Sequence, residues 1–419
     1  MKSRKFNILA VLAALLFVAS SAHAGVVIGG SDGWSFSTDG QINIFGVYQT
    51  GDDIPGGVNN PVLGATNEEG FRLKSGFLPA CVAFNIKAPT IGGLDMAGRI
   101  GFYPEPANAN VKNTFDGQID LREIFFTVDG NFGQILAGKA LSLFLGQNLL
   151  TEMTLLGAGR MAGNLNANVG PTLGRIGYGY VYPNFNAQVR YTTPSLNGFK
   201  LALGVYDPSV ISGSKSDNNT DGVVDAGDAD AFSATETKMP RIESELSYAG
   251  NFDGGNYKVY MNNLWQEAKG ATKDVTAWGF GGGAVVGMGA FELSGSAFTG
   301  EALGRSLMLD TEALDYTGEE RETWGYIVQG TYTMDNPGKT KFGISYGGNE
   351  FEETSAEKAI RGLDGAAEIE SQYMLTMMVS HDINANLKLV AEVSHIELEW
   401  FNGKDWKVEQ MNLGAFFLW

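Results

Sequence analysis

The feature that most constrains this chain is a period-two alternation of apolar and polar residues, repeated in segments of about ten residues along most of its length. In 371–381, for example, Tyr373 and Leu375 share one face while Gln372 and Thr376 share the other. Successive side chains of a β-strand point to opposite faces, and about ten residues are enough for a tilted strand to cross a bilayer. The pattern therefore predicts membrane-length strands with one apolar and one polar face.

The connections between these segments alternate in length. The short ones are clusters of turn-forming residues at 91–93, 131–133, 195–198, 253–255, 335–338 and 384–386. The long ones are polar and lie near 50–70, 104–118, 139–172, 207–240, 300–322 and 350–370. Short periplasmic turns on one rim and long extracellular loops on the other are typical of an outer-membrane barrel. We expect an all-β fold, a closed antiparallel transmembrane β-barrel of about 16 strands, because only closure satisfies every backbone group of such strands in lipid. A soluble β-sandwich is the alternative, but it does not require this alternation of loop lengths.

The first 24 residues have the layout of a secretory signal peptide. Lys2, Arg4 and Lys5 precede an apolar run over 8–18, and the small-residue motif 22–24 follows. The apolar run is too short for a transmembrane helix, which needs about 20 residues. The sequence thus predicts a signal peptide at 1–24 and a single exported barrel domain at 25–419. Export and a barrel pattern together indicate the outer membrane of a Gram-negative bacterium.

Composition excludes several other functions. The chain has 29 Lys and Arg against 47 Asp and Glu, a net charge of −18, whereas a nucleic-acid binder needs a basic face. One cysteine rules out a disulfide scaffold and a CxxC zinc site. Outside the leader, the only histidines are His381 and His395, and neither has a Ser or Asp set beside it by the strand pattern. We therefore expect no enzyme activity. The acidic loops 300–322 and 350–370 predict a mild preference for cations at the mouth.

Three stretches and the C-terminus carry a family resemblance. The segments 71–89, 121–139 and 185–206, together with the aromatic chain end 413–419, resemble the Gram-negative general porins, which are trimeric, 16-stranded diffusion channels. The resemblance implies an outer-membrane homotrimer surrounded by lipid and lipopolysaccharide, whose third loop folds into each pore and narrows it. It also implies passive diffusion of ions and small hydrophilic solutes, and recognition of the chain end by the barrel-assembly machinery.

The same resemblance suggests residues for the pore constriction. The basic constriction residues of the family fall on Arg72, Arg122 and Arg190, and Lys74 shares the face of Arg72. Arg190 alternates with apolar neighbours and so faces the lumen. Each of these residues has an alternative interpretation, as an ordinary wall residue of a water-filled pore.

The third loop, 139–172, is less charged than expected for a constriction. Its stretch 140–156 contains a single charged residue, Glu152, which we take as the acidic partner of the basic wall. A loop this apolar can narrow the lumen and set its selectivity. Alternatively it can plug the lumen, which would make the protein a structural or adhesive outer-membrane barrel with divalent ions bound to its acidic loops.

A calcium-type motif lies in the loop 207–240. The sequence DNNTDGVVDAGD at 217–228 matches the spacing of an EF-hand loop, with Gly222 at the sharp turn. The expected ligands are Asp217, Asn219, Asp221, the carbonyl of Val223, Asp225 and Asp228. Aspartate replaces the bidentate glutamate at the last position, so we expect a structural Ca²⁺ site of low affinity, with a Kd of about 10⁻⁴–10⁻³ M. The alternative is an exposed Asp- and Asn-rich loop that binds no metal.

Overall fold

The computed structural model describes residues 25–59, 69–106, 119–161, 170–310 and 312–419. The predicted signal peptide lies outside the described residues, as do parts of four predicted loops (60–68, 107–118, 162–169 and residue 311). Its strands are β1 (Val26–Gly29), β2 (Ser35–Gly51), β3 (Gly70–Lys74), β4 (Cys81–Lys87), β5 (Asp95–Pro104), β6 (Ile119–Gly130), β7 (Gly133–Leu141), β8 (Phe185–Thr192), β9 (Phe199–Tyr206), β10 (Ile211–Ser212), β11 (Ser233–Ala234), β12 (Arg241–Phe252), β13 (Gly255–Lys269), β14 (Asp274–Met288), β15 (Phe291–Glu301), β16 (Glu322–Thr333), β17 (Lys341–Phe351), β18 (Ile369–Asn384), β19 (Leu387–Trp400) and β20 (Asp405–Leu418). The helices are α1 (Gly146–Leu150), a 3₁₀ helix (Met153–Leu156) and α2 (Ser355–Arg361).

The strands close into an antiparallel barrel of 16 positions. β3 and β4 together fill one position, because both pair with β2, β3 along 45–49 and β4 along 35–41. The ring closes where β20 pairs with β2, from Gln41 opposite Leu418 to Gly51 opposite Val408. β1 extends the sheet as a hairpin on β2, and β10 and β11 form a separate pair within a long loop. The structure confirms the predicted closed barrel and its strand number.

The two rims differ as the sequence predicts. The short turns all lie at one rim, which also carries a tight turn at 289–290 between β14 and β15. At the other rim, the strands are joined by the long loops, except at 270–273 and 401–404, where long strands meet in short turns. The C-terminal residue is held at the periplasmic rim, because the N–H of Trp419 donates to Gly40 O at 3.1 Å and that of Gly40 donates to Trp419 O at 3.2 Å.

None of the helices in the described part of the chain is long and apolar enough to span a membrane.

The outward face of the barrel is apolar and carries aromatic residues towards both rims. Near the periplasmic turns, the rings of Phe199 and Tyr248 are 4.3 Å apart between centroids. Near the extracellular loops, Tyr346 and Tyr373 stack at 5.9 Å. Such paired aromatic girdles mark the two membrane interfaces of outer-membrane barrels. On the inward face the polar residues, such as Thr376, are buried, because loops enter the lumen and cover them.

Candidate pore and constriction loop

Residues 142–184 connect β7 to β8, and we call them the constriction loop. Their described parts, 142–161 and 170–184, lie inside the barrel. Their outgoing limb, 142–161, contains α1 and the 3₁₀ helix, and their return limb is described from 170 to 184. The constriction loop contains most of the predicted third loop, 139–172, but it begins after β7 ends at Leu141 and extends to residue 184.

Wall side chains hold the outgoing limb by accepting hydrogen bonds from its backbone. Glu243 on β12 accepts from the N–H groups of Leu143 and Phe144, each at 2.9 Å. Glu392 on β19 accepts from Ala158 at 2.9 Å and Gly159 at 3.0 Å. The other acceptors are Asn262 on β13 for Leu145, Gln329 on β16 for Met153 and Gln410 on β20 for Met161. The limb therefore runs along the inner wall from β12 to β20.

One arginine fixes the return limb. Arg175 is fully buried, and its guanidinium donates to Ser345 Oγ at 2.8 Å, to Gly347 O at 3.1 Å and to Met374 O at 2.8 Å. These acceptors lie on β17 and β18. Both limbs thus lie against the same part of the wall.

The contact between loop and wall includes a cluster of buried apolar side chains. Phe144 and Leu145, each fully buried, belong to one hydrophobic cluster with Leu264 and Phe298 on the wall. The cluster continues into the extracellular loops through buried residues such as Leu314. Loop, wall and mouth therefore pack together as a small hydrophobic core on this side of the lumen. We call it the packed side, defined by the inner faces of β12–β20 that contact the constriction loop.

The opposite wall, formed by β6–β9, borders two cavities, and we call it the open side. The upper cavity, on the extracellular face of the constriction loop, has a volume of about 230 Å³ and is lined by Asp120, Arg122, Lys139 and Tyr182 among others. The lower cavity, on the periplasmic face of the loop, measures about 500 Å³. A third cavity, of about 420 Å³, lies below the packed side.

The predicted constriction residues occupy separate places in the lumen. Arg72 and Lys74 are both buried on the inner face of β3. Arg122 lines the upper cavity, where its Nε is 2.7 Å from Asp120 Oδ2. Arg190 lines the lower cavity, as its alternation with apolar residues predicts. Glu152 lines the third cavity. The structure thus does not bring Arg122, Arg190 and Glu152 together around one opening, and their part in selectivity stays a prediction.

Glu152 is engaged within the constriction loop itself. Its carboxylate accepts from the backbone N–H of Thr154 at 2.5 Å and from the Thr154 hydroxyl at 2.6 Å, which caps the 3₁₀ helix. Burial raises the pKa of Glu152 to about 7, although the Thr154 hydrogen bonds and the charge of Arg175 oppose the shift. This carboxyl therefore changes its charge near neutral pH.

The sequence reasoning missed two arginine sites. One is Arg175, which sits in an apolar, glycine-rich stretch without periodicity, so no local pattern marks it. The other is Arg99 on the inner face of β5, which bonds to Asp39 at 2.8 Å and Glu123 at 2.7 Å. Arg99 lies in a period-two strand, and the alternation would have placed it in the lumen.

The negative charge of the acidic extracellular loops at the mouth of the barrel is partly neutralised by arginines of the same loops. Arg321 pairs with Glu357 and donates to Leu314 O at 2.8 Å. Arg305 lies 3.5 Å from Glu368, which also accepts from Asn59 at 2.7 Å. These contacts join the extracellular loops around 59, 305–321 and 357–368 into one layer over the packed side.

The residues of the calcium-type motif form a chain of turns without flanking helices. Asp217 is fully buried and accepts from Gly222 at 2.8 Å and from Ala366 in a neighbouring loop at 2.8 Å. Asp228 accepts from Asp225 at 2.8 Å. Within the described ranges, no three His, Cys, Asp or Glu side chains are arranged to hold a metal ion. The Ca²⁺ site stays a prediction.

Comparison with known proteins places this arrangement in a family. Among solved structures, the chain is similar to the outer-membrane channel DcaP of Acinetobacter baumannii (15% identity, 94% of this chain and 100% of that chain covered, TM-score 0.66). It is also similar to an anion-selective porin from Comamonas acidovorans (13%, 92% and 100%, TM-score 0.59) and to OmpT of Vibrio cholerae in a trimer form (14%, 93% and 100%, TM-score 0.51). Comparison with curated proteins gives no significant match. The sequence model described as Gram-negative porin matches residues 10–399. The chain therefore belongs to the Gram-negative porin family and is a channel protein of the bacterial outer membrane, not an enzyme.

Proposed function

We propose that this porin is a passive diffusion channel for ions and small hydrophilic solutes, whose path follows the open side of the lumen. The observation that carries the proposal is the asymmetry of the constriction loop, which packs against β12–β20 and leaves the upper and lower cavities along β6–β9. The lower cavity also reaches the periplasmic parts of β12 and β13. A solute that follows this wall passes one cavity on each face of the loop. By analogy with the trimeric relative, we also propose a homotrimer.

The charges along this path favour anions. The two cavities are lined by the basic residues Arg122, Lys139, Arg190, Lys200 and Lys258 and by the acidic residues Asp120, Glu123 and Glu245. Two of the three acids are engaged by arginines, Asp120 by Arg122 and Glu123 by Arg99. A narrow passage focuses the field of its lining charges. We therefore propose a weak anion preference set inside the lumen, against the cation preference that the acidic loops alone would give.

Ion conductance across a planar bilayer with a KCl gradient tests the proposal. We expect conductance steps, grouped in threes for a trimer, and a reversal potential on the anion side. Lys139→Gln and Lys200→Gln should each shift that potential towards cations. Lys341→Gln, in the third cavity, is the matched control and should leave it unchanged. A reversal potential on the cation side would overturn the anion preference and assign selectivity to the acidic mouth.

The apolar packing of the constriction loop against the wall supports a second candidate, a plugged barrel with a structural or adhesive role. In this case the acidic loops would bind divalent ions and lipopolysaccharide. A folded barrel that inserts into the bilayer but conducts no current would favour this alternative over diffusion.

A further inference from the structure

We infer that the lower cavity is a binding site for small amphiphilic anions, meaning a carboxylate carried on a compact apolar body. The inference deepens the proposed function, since it names a class of solute for the same path, but the binding itself does not depend on conduction. The cavity volume of about 500 Å³ lies within the range of small-molecule sites, roughly 300–1,000 Å³.

The cavity has an apolar roof and an apolar wall. The constriction loop contributes Leu143 and Leu150 from above, and β6 and β7 contribute Phe125 and Leu136 from the side. These surfaces would bury the apolar body of a ligand and exclude water from its contacts.

A surplus of positive charge faces this apolar surface. Arg190, Lys200 and Lys258 come from three different strands, and all three interact electrostatically with the single carboxylate of Glu245. The other acid of the lining, Glu123, is held by Arg99 at 2.7 Å. Three cationic side chains therefore share one available carboxylate. An anionic ligand would neutralise part of the remaining positive charge.

Two polar groups in the lining lack partners. Arg190 Nε and Thr127 Oγ1 are buried, and neither has a hydrogen-bond partner in the part of the chain that the structure describes. A buried donor left without a partner carries a free-energy cost. A carboxylate in the cavity would accept from Arg190 and thereby remove this cost. The unpartnered atoms and the surplus charge thus point to the same ligand group.

The third cavity shows that lysines alone do not make such a site. This cavity is lined by three lysines, each of which is paired with an acidic residue. Lys339 lies 2.7 Å from Asp335, and Lys341 lies 3.8 Å from Glu292. Lys388 pairs with Asp382. This cavity has no charge surplus, so we expect it not to retain an anion. It therefore supplies the control position.

Equilibrium binding to the full-length protein in detergent tests the inference, with benzoate as the probe. Benzoate has both the carboxylate and the apolar body, acetate lacks the body, and benzylammonium carries the opposite charge. We expect saturable benzoate binding, at least tenfold weaker acetate binding and no benzylammonium binding. Because a hydrogen bond to a charged group contributes about 1.5–3 kcal/mol, Arg190→Gln should weaken benzoate binding by roughly tenfold or more. Lys341→Gln should leave it unchanged.

Each outcome decides one claim. Equal affinity for acetate and benzoate, or an unchanged affinity in a folded Arg190→Gln barrel, would overturn the site. Folding of the variant is checked by its heat-resistant mobility in gel electrophoresis, and Arg190→Lys should retain part of the affinity because it keeps the charge. A protein that conducts ions but binds no benzoate would contradict this inference and leave the proposed channel intact. A protein that binds benzoate but conducts nothing would contradict the channel and leave the site.

Discussion

The packed side and the open side of the lumen belong to one barrel and have the same period-two pattern, yet one holds a loop and the other borders cavities. The difference lies in the hydrogen-bonding chemistry of the inward residues. On the packed side, Glu243, Gln329 and Glu392 are acceptors, and each satisfies backbone N–H groups of the constriction loop. On the open side, the acceptors Asp120 and Glu123 are engaged by arginines. Lys139 and Lys200 carry only donors. A loop that enters a lumen with orphaned N–H groups can dock only where acceptors face it.

Of the substitutions considered, replacing Arg175 should change the difference between the two sides most. Arg175→Met would remove the donors that hold Gly347 O and Met374 O and would leave Glu152 buried without a nearby positive charge. Loss of one partner in such a buried network costs roughly 3–5 kcal/mol. We expect the return limb to detach, with faster amide hydrogen exchange in 170–184 and a higher single-channel conductance.

The matched control for Arg175 is Lys200→Met on the open side. Lys200 is partly exposed and faces the lower cavity, so its removal should leave amide exchange in the constriction loop unchanged. If both variants accelerated exchange equally, the distinction between the two sides would be wrong.

A second comparison is between Phe144, which packs against the packed side, and Phe125, which lines the lower cavity. Phe144 is fully buried, and its ring lies so close to β14 that a methyl group on Gly279 would meet it at 2.3 Å. Phe144→Ala should therefore cost about 3 kcal/mol of docking free energy, because the wall cannot close the space that is left. Phe125→Ala, at the lower cavity, should cost much less, because this ring is only partly buried. Amide hydrogen exchange of 142–161 measures the effect of each substitution. Equal effects would contradict an apolar loop contact on the packed side only.

The sequence was sufficient for the barrel but not for the path of its constriction loop. Strands and rims depend on local signals, namely alternation over about ten residues and turn-forming clusters, and these gave the 16 positions and the lumen-facing Arg190. The loop path depends on contacts such as that between Ala158 and Glu392, which are 234 residues apart. No pattern within one segment indicates which wall carries the acceptor for a given loop N–H. The clustering of Arg190 with Lys258 was unpredictable for the same reason.

The pH dependence of loop docking should show a smaller effect. The pKa of Glu152 is about 7 in the docked loop, above its ordinary value, so the docked state binds a proton more tightly than the detached state. Docking is therefore strongest below about pH 4.5 and weakens as pH rises towards 7, by up to about 3 kcal/mol in total. We expect larger protection factors in 142–161 at pH 5 than at pH 8, after correction for the base-catalysed rise in intrinsic amide exchange.

Two substitutions separate the possible sources of this pH dependence. Glu152→Gln keeps an acceptor for Thr154 but cannot titrate, so the difference in protection factor between pH 5 and pH 8 should disappear. Burial also raises the pKa of Glu105 to about 7, although the positive charges of Arg122 and Lys74 oppose the shift. Neither carboxylate oxygen of Glu105 has a hydrogen-bond partner in the described part of the chain. Glu105→Gln should therefore leave the exchange of 142–161 dependent on pH. A pH dependence that survives Glu152→Gln would assign the titration to another group.

Calcium should have the smallest effect, and it should act on the packed side alone. Asp217 accepts a hydrogen bond from Ala366, so an ion bound at 217–228 would stabilise the loop layer above the packed side. At millimolar Ca²⁺ and a Kd of about 10⁻⁴–10⁻³ M, the gain is about 1 kcal/mol. A chelator should then accelerate proteolysis within 207–240 by roughly fivefold. Asp221→Asn should remove most of that response, whereas Asp230→Asn, outside the motif, should preserve it. A response that persists in Asp221→Asn would place the ion elsewhere, for example between acidic loops and lipopolysaccharide, and the motif would then be an ordinary Asp-rich turn.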